Sequence, residues 1–237
     1  MFMQKSRLDK FLISHLSLSK REVRLMLAQK RVHVDGQFAL DIAAQINKFS
    51  LIEIDGNTLQ KNDSIYIMLN KPIGVISATK DKSHKTVIDL ISHPQKAMLH
   101  IVGRLDLNTS GLILLTNDSQ WSEKLTQPKS KVAKVYHVTV QNKLTTDYIY
   151  AFEQGMYFDY EDITTKPAKL IILSDYTAQV SLTEGRYHQI KRMFGRFQNP
   201  VTKLHRSKVG NLSLDPILTV GDSRSLSSEE VANIALS

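Results

Sequence analysis

Residues 112–115, Leu-Ile-Leu-Leu, form the most continuous apolar run in their part of the chain. A short run of this kind, bounded by polar residues, predicts a buried strand, so the surrounding chain must build a core around it. The stretch leading into it, Gly-Arg-Leu-Asp-Leu-Asn-Thr-Ser-Gly at 103–111, is polar and carries an acid at Asp106. Folding alone does not ask for a carboxylate at the mouth of a buried strand. Asp106 is therefore the first candidate functional residue.

The chain can supply the core that this strand needs. It has 237 residues, 42% hydrophobic and 23% charged, enough for one large domain or a small module followed by a larger one. There are no cysteines, which excludes disulfides and thiolate metal sites and gives no support to secretion. No apolar run approaches the ~18–20 residues that span a bilayer. The opening Met-Phe-Met-Gln-Lys-Ser-Arg is charged too early for a signal peptide. A soluble cytoplasmic protein is expected. The eight histidines are scattered without ligand spacing, so no metal is expected.

Charge is the informative part of the composition. The net charge is +8, and its distribution is uneven. From Arg186 to Lys208 there are seven basic residues (186, 191, 192, 196, 203, 206 and 208) and no acid. A second cluster, Lys20, Arg21, Arg24, Lys30 and Arg31, has only Glu22 against it. Clustered cations bind polyanions by releasing counterions, which makes nucleic acid the leading partner. The plainer reading is a solvated basic face.

Along the chain, Leu8, Phe11, Leu12 and Leu16 share one helical face within 6–16. Ser19 and Glu22 form a capping-box pattern before a second apolar stripe of Val23, Met26 and Leu27. Arg-Val-His-Val-Asp-Gly-Gln and Leu-Ile-Glu-Ile-Asp-Gly-Asn then predict strands with Asp-Gly turns. The polar stretch at 60–64 marks a boundary, giving a module over 1–60 and a larger domain over 61–237. The second unit opens on a strand stopped at Lys71-Pro72. It then alternates strand patterns (Lys-Val-Tyr-His-Val-Thr-Val, Ala-Lys-Leu-Ile-Ile-Leu, Thr-Ala-Gln-Val-Ser-Leu-Thr) with helical segments at 119–126, 143–153 and 186–197. The expected class is α+β, around a mixed, mainly antiparallel sheet.

The N-terminal stretch RLDKFL…LSKREVRLMLAQKRVHVDG resembles the S4 RNA-binding domain. That resemblance implies docking to structured RNA by the basic residues Lys20, Arg21, Arg24, Lys30 and Arg31. It implies no chemistry.

Taken by itself, Asp106 allows a helix cap, an Asx-turn or a pairing with Arg104. A phosphate loop fails, because Gly103 and Gly111 are too far apart and no Gly-Lys-Ser/Thr follows. An acyl-phosphate D-x-D-x-T motif fails at Asn108. LNKPIGVIS (69–77), GRLDLNTSGLILLTND (103–118), KVYHV (134–138), TTKPAKL (164–170) and EGRYHQIKRMF (184–194) closely resemble, in order and spacing, the pseudouridine synthases of the ribosomal small-subunit type. With the S4-like module in front, the resemblance covers nearly the whole chain.

The resemblance implies an isomerase that detaches uracil from N1 and rejoins it through C5 on the same sugar. No oxidation, hydrolysis or phosphoryl transfer occurs, so no cofactor is implied. Asp106 aligns with the family's essential aspartate, a suitable nucleophile or ion-pair stabiliser for glycosidic cleavage. Attack on sugar, attack on base and assisted elimination all stay open. Tyr136 aligns with the tyrosine that packs against the target base and could help remove the C5 proton. Lys191 aligns with a basic residue that pairs with the aspartate and orients it, and Ile190 with an apolar residue against the base. Many relatives carry arginine at 191, and lysine offers a point charge in place of a fork. Arg192 is the alternative partner. Arg104 is expected to handle RNA backbone or fill the gap left by the base, with Arg186, Arg192 and Arg196 adding RNA contacts.

Tyr187, His188 and Lys191 favour the small-subunit type over large-subunit relatives. The implied substrate is 16S rRNA or a small-subunit assembly intermediate, with uridine 516 as the target. The competing readings are a large-subunit rRNA synthase of the same architecture, and a non-catalytic S4-type RNA-binding or assembly protein. A monomer is expected.

Overall fold

The computed structural model describes residues 6–235, so the first five residues of the stretch read against a signal peptide lie outside it. The chain divides into two units. One runs to Ser64 and includes Asp118–Gln120; the other comprises Ile65–Asn117 and Trp121–Ser237.

In the first unit the helices Leu8–Leu16 and Lys20–Ala28 bury Leu8, Leu12, Val23, Met26 and Leu27, the apolar stripes read from periodicity. The capping box forms: Ser19 Oγ accepts from the Glu22 backbone N–H, and the Glu22 carboxylate accepts from the Ser19 N–H at 2.6 Å. A four-stranded antiparallel sheet follows, in the order Gln37–Phe38, Val32–Val34, Ile52–Ile54, Asn57–Gln60. Its two hairpins turn at Asp35-Gly36 and Asp55-Gly56. All four residues have positive φ, which two-residue hairpin loops require and Asp-Gly supplies at low cost.

The second unit is built on a nine-stranded mixed sheet. Its main order is Lys169–Ser174, Thr177–Leu182, Lys134–Val140, Val201–Val209, Ser110–Thr116, Tyr66–Lys71, Ser223–Ser225. Among the described strands, every ladder is antiparallel except the central one, where His205 and Arg206 of Val201–Val209 face Ser110 and Gly111 in parallel. Leu112, Ile113, Leu114 and Leu115 are all fully buried. Ile113 and Leu115 pack with Ile67, Leu69, Val87 and Leu99; Leu112 and Leu114 pack with Met68, Trp121 and Leu125. A strand covered on both faces tolerates no polar alternation, which explains the uninterrupted run. A third cluster, around Phe152, Phe158, Val180, Met193 and Phe194, fills the other half of the sheet.

The helix Ser119–Thr126 matches its expected span. The helix expected over 143–153 begins later, at Thr146, after Thr145 at its N-cap. The one expected over 186–197 is shortened to Gln189–Gly195: His188 takes left-handed backbone angles at its N-cap, and beyond Gly195 the chain tightens into a turn that ends at left-handed Gln198. Among the described residues no helix is long and apolar enough to cross a membrane.

Candidate active site

The Asp106 loop enters the central strand Ser110–Thr116 at the parallel seam and is held by its backbone. Lys71, fully buried at the end of Tyr66–Lys71, donates from Nζ to the carbonyls of Pro72 (2.9 Å), Asp106 (3.2 Å) and Thr109 (2.8 Å). Ser77 Oγ donates to the Leu105 carbonyl at 2.6 Å and accepts from the Leu105 N–H at 3.0 Å. Gly74 N–H reaches the Leu107 carbonyl at 2.9 Å, and Thr109 N–H closes the turn on the Asp106 carbonyl at 3.0 Å. Gly111 is required where the strand begins: a Cβ there would lie 2.3 Å from the Arg206 carbonyl oxygen, at a φ of +105°. The backbone of Asp106 is thus spoken for, and its half-buried carboxylate faces a cleft of about 610 Å³.

Two nitrogen-bearing side chains meet that carboxylate. Lys191 Nζ lies 3.6 Å and His188 Nε2 3.5 Å from the same oxygen, Oδ2. Both come from one turn at the start of the helix Gln189–Gly195. Neither a helix cap nor pairing with Arg104 describes Asp106; Arg104 stands exposed on the cleft rim. Tyr136, half-buried on Lys134–Val140, lines the cleft at a bulge in its pairing with Val201–Val209. Bulges of this kind re-aim a side chain. Ile190 is buried and, with Leu182 and Leu204, lines an adjoining pocket that shares Asp106 and Tyr136 with this cleft. Asp106, Tyr136, Ile190 and Lys191 therefore share one wall-and-floor arrangement.

Arg192 does not join them. Its guanidinium makes two 2.5 Å hydrogen bonds to Glu161 and lies 3.7 Å over the Phe158 ring. This removes it as the alternative partner of Asp106. Arg196 bonds Asp159 and the Tyr157 carbonyl, each at 2.5 Å, and Arg186 reaches Glu184 at 3.2 Å. The absence of acids within 186–208 is real in sequence, but the fold brings Asp159, Glu161 and Glu184 to that segment. Arg206, counted there as a surface charge, is only 3% exposed; its Nε donates to the Leu112 carbonyl at 2.8 Å. In the first unit Lys20, Arg21, Arg24, Lys30 and Arg31 are all exposed, and among the described residues only Arg31 of these is in an ion pair, with Asp55 at 2.5 Å.

Three residues escape the sequence reading. His188 enters it only as a mark of subtype. Lys71 enters only as the end of a strand, although a lysine closing the apolar run Ile-Met-Leu-Asn-Lys-Pro is a readable anomaly. Lys134 has no role there beside Tyr136. Burial pushes the Lys71 ammonium down to about 8, with Asp106 opposing and Arg206 assisting the shift. Burial likewise pushes Lys134 down to about 8, and Arg206 adds to it. Lys134 and Arg206 both line the cleft, and Arg206 Nη2 is buried without a hydrogen-bond partner among the described residues. Cations crowded this closely, partly out of water, make the cleft a positive enclosure.

An aspartate held by its backbone at a sheet seam, beside a lysine and a histidine and across a cationic cleft from a tyrosine, suits chemistry on the base or sugar of a polyanion. The family model for RNA pseudouridylate synthase matches residues 65–195, and the chain belongs to that family. Over 229 residues it is 44% identical to the ribosomal small subunit pseudouridine synthase A of Pseudomonas aeruginosa, covering 96% of this chain and 100% of that one. It is 38% identical to the protein of that name from Escherichia coli, covering 96% and 99%. A solved pseudouridylate synthase structure, 36% identical, superposes with a TM-score of 0.70 over 96% of this chain and 99% of that one.

Proposed function

We propose that the protein isomerises one uridine of small-subunit rRNA to pseudouridine, with Asp106 as the essential carboxylate and position 516 of 16S rRNA as the target. The observation that carries this reading is the division of labour at Asp106. Lys71 and Ser77 hold the loop backbone, which leaves the carboxylate free to face the cleft beside Lys191 and His188. The reaction breaks the N1–C1′ bond, turns the base and forms C5–C1′. The C5 proton leaves and N1 ends protonated, so atoms balance without a cofactor. Tyr136 and Ile190 offer an aromatic face and an apolar floor for a uracil drawn out of its stack. Lys191 fixes the orientation of the carboxylate at the distance of a point charge. Arg104, exposed at the rim, contacts RNA backbone or takes the space the base vacates.

The first unit, with its exposed Lys20, Arg21, Arg24 and Lys30, serves as an S4-type RNA-docking module, and the protein works as a cytoplasmic monomer. The relatives' small-subunit names support the choice of substrate. The test is Asp106→Asn, which keeps size and removes charge, together with pseudouridine mapping in rRNA from cells lacking the protein. The variant should lose all turnover while RNA binding stays within a few-fold, and one 16S uridine should stay unmodified in the deletion. Turnover by the Asn variant, with deamidation excluded, would overturn the role of Asp106; a missing 23S modification would overturn the substrate.

A further inference from the structure

We propose that Tyr187 and His188 form a stacking platform for an unpaired nucleobase flanking the target uridine, and that this platform ends on Asp106. This rests on the proposed isomerisation and extends it to a second subsite. The Tyr187 ring lines the cleft and is 74% exposed. One of its faces is already set: it stacks on the His188 ring at 3.9 Å between centroids and 20° between planes. His188 in turn carries Nε2 to 3.5 Å from Asp106 Oδ2. Outer face, tyrosine, histidine and carboxylate therefore form one continuous series.

The backbone beneath the pair is fixed. His188 takes a left-handed conformation (φ +48°, ψ +31°), which is uncommon for a non-glycine residue. Here the neighbour Gln189 is buried and donates to Glu184 at 2.7 Å, and the His188 carbonyl accepts from Arg192 N–H at 2.9 Å. Arg192 is itself locked to Glu161, and it reaches the Tyr187 carbonyl at 3.5 Å. A braced aromatic ring with one open face loses little freedom on binding, and single-stranded RNA is recognised largely by stacking on such rings. The chemistry of the surroundings selects the occupant. Arg104 stands exposed on the same cleft and in no ion pair among the described residues, so a base carrying its own phosphate satisfies ring and cation together. An apolar peptide would leave that charge uncompensated. Because His188 lies between Tyr187 and Asp106, a base seated on Tyr187 also restrains the group that positions the carboxylate.

The experiment uses the full chain and a 16S rRNA fragment spanning the mapped uridine, with abasic nucleotides placed singly at the two positions on either side. Tyr187→Ala should weaken binding of the intact fragment about tenfold and lower the single-turnover rate at saturating RNA. Tyr187→Phe and Tyr187→Trp should retain both. At one flanking position the abasic change should weaken the wild type by the same factor yet leave Tyr187→Ala unaffected. If Tyr187→Ala binds as tightly as wild type, or its penalty persists on all four abasic fragments, the platform is wrong. Conversion of the intact fragment by the wild type shows that the functional reading stands when the platform fails. If the wild type converts none, the reading falls and the platform with it.

Discussion

Two stretches of this chain carry the same signal in sequence, a run of lysine and arginine, and they meet different fates. Around the helix Lys20–Ala28, Lys20, Arg21, Arg24 and Lys30 stay exposed without an ion pair among the described residues, and Glu22 is occupied by its own capping box. Between 186 and 208, Arg186, Arg192 and Arg196 are met by acids from 159, 161 and 184, Lys191 faces Asp106, and Arg206 is buried. A local charge run on a nine-residue helix has nowhere to go but solvent. A run spread over a turn, a helix and a central strand is distributed by the fold among the candidate site, packing and ion pairs. Counting charges therefore finds the first surface and overstates the second.

The sharpest way to break this contrast is Arg206→Ala. It removes a buried side chain and the donor to the Leu112 carbonyl, so urea unfolding should show a loss of about 3 kcal/mol. The salt dependence of RNA binding should not change. A stable variant with a reduced salt slope would return Arg206 to the RNA surface.

The converse change is Lys20, Arg21 and Arg24 all to Gln. Stability should hold within about 0.5 kcal/mol. The log–log salt slope of RNA binding should fall by about 0.7–0.9 for each phosphate that the variant no longer neutralises. An unchanged slope would show that these exposed cations meet no phosphate.

Proton linkage extends the contrast to the buried and half-buried lysines around Arg206. Lys71 and Lys134 hold their protons less tightly folded, near 8, than unfolded, near the ordinary lysine value of 10.5. The unfolded state therefore binds more protons between those limits, and these two groups should make stability rise as pH increases through that window. Urea melts at pH 7.5 and 9.5 should show the rise, and Lys134→Met should diminish it. A rise of the same size in that variant would rule out Lys134 as a source.

The smallest effects are expected from Arg192→Gln and Arg196→Gln. Their partners are partly exposed, so each should cost below about 1 kcal/mol, and each should change the salt slope by less than one neutralised phosphate would.

What could be read in the sequence follows the distance between the residues involved. The Ser19–Glu22 cap, the two Asp-Gly turns and the buried Leu112–Leu115 strand depend on neighbours within a few positions, and local pattern reveals them. Asp106 stands out as an acid without a folding purpose, but Tyr136 and Lys191 are singled out by resemblance; nothing in their spacing joins 106, 136 and 191. The Lys71 clamp, the His188 contact and the acids that meet Arg192 and Arg196 are all products of tertiary packing. Lys71 alone leaves a trace, a charge where the pattern asks for an apolar residue.

The parallel seam sets an order of events as well as a geometry. Ser110 bonds His205 across 95 positions, and the Leu112 carbonyl waits for Arg206 across 94. The two helices and the four-stranded sheet of the first unit all lie before Ser64, so they are made long before that partner strand exists. While the chain is being synthesised, those elements can therefore form while the cleft still lacks the strand that closes it. Loop closure over so long a span is also slow relative to the local hairpins. Competence for catalysis arrives late in the life of the nascent chain, and an isomerised uridine certifies that the chain has been made and folded past residue 206.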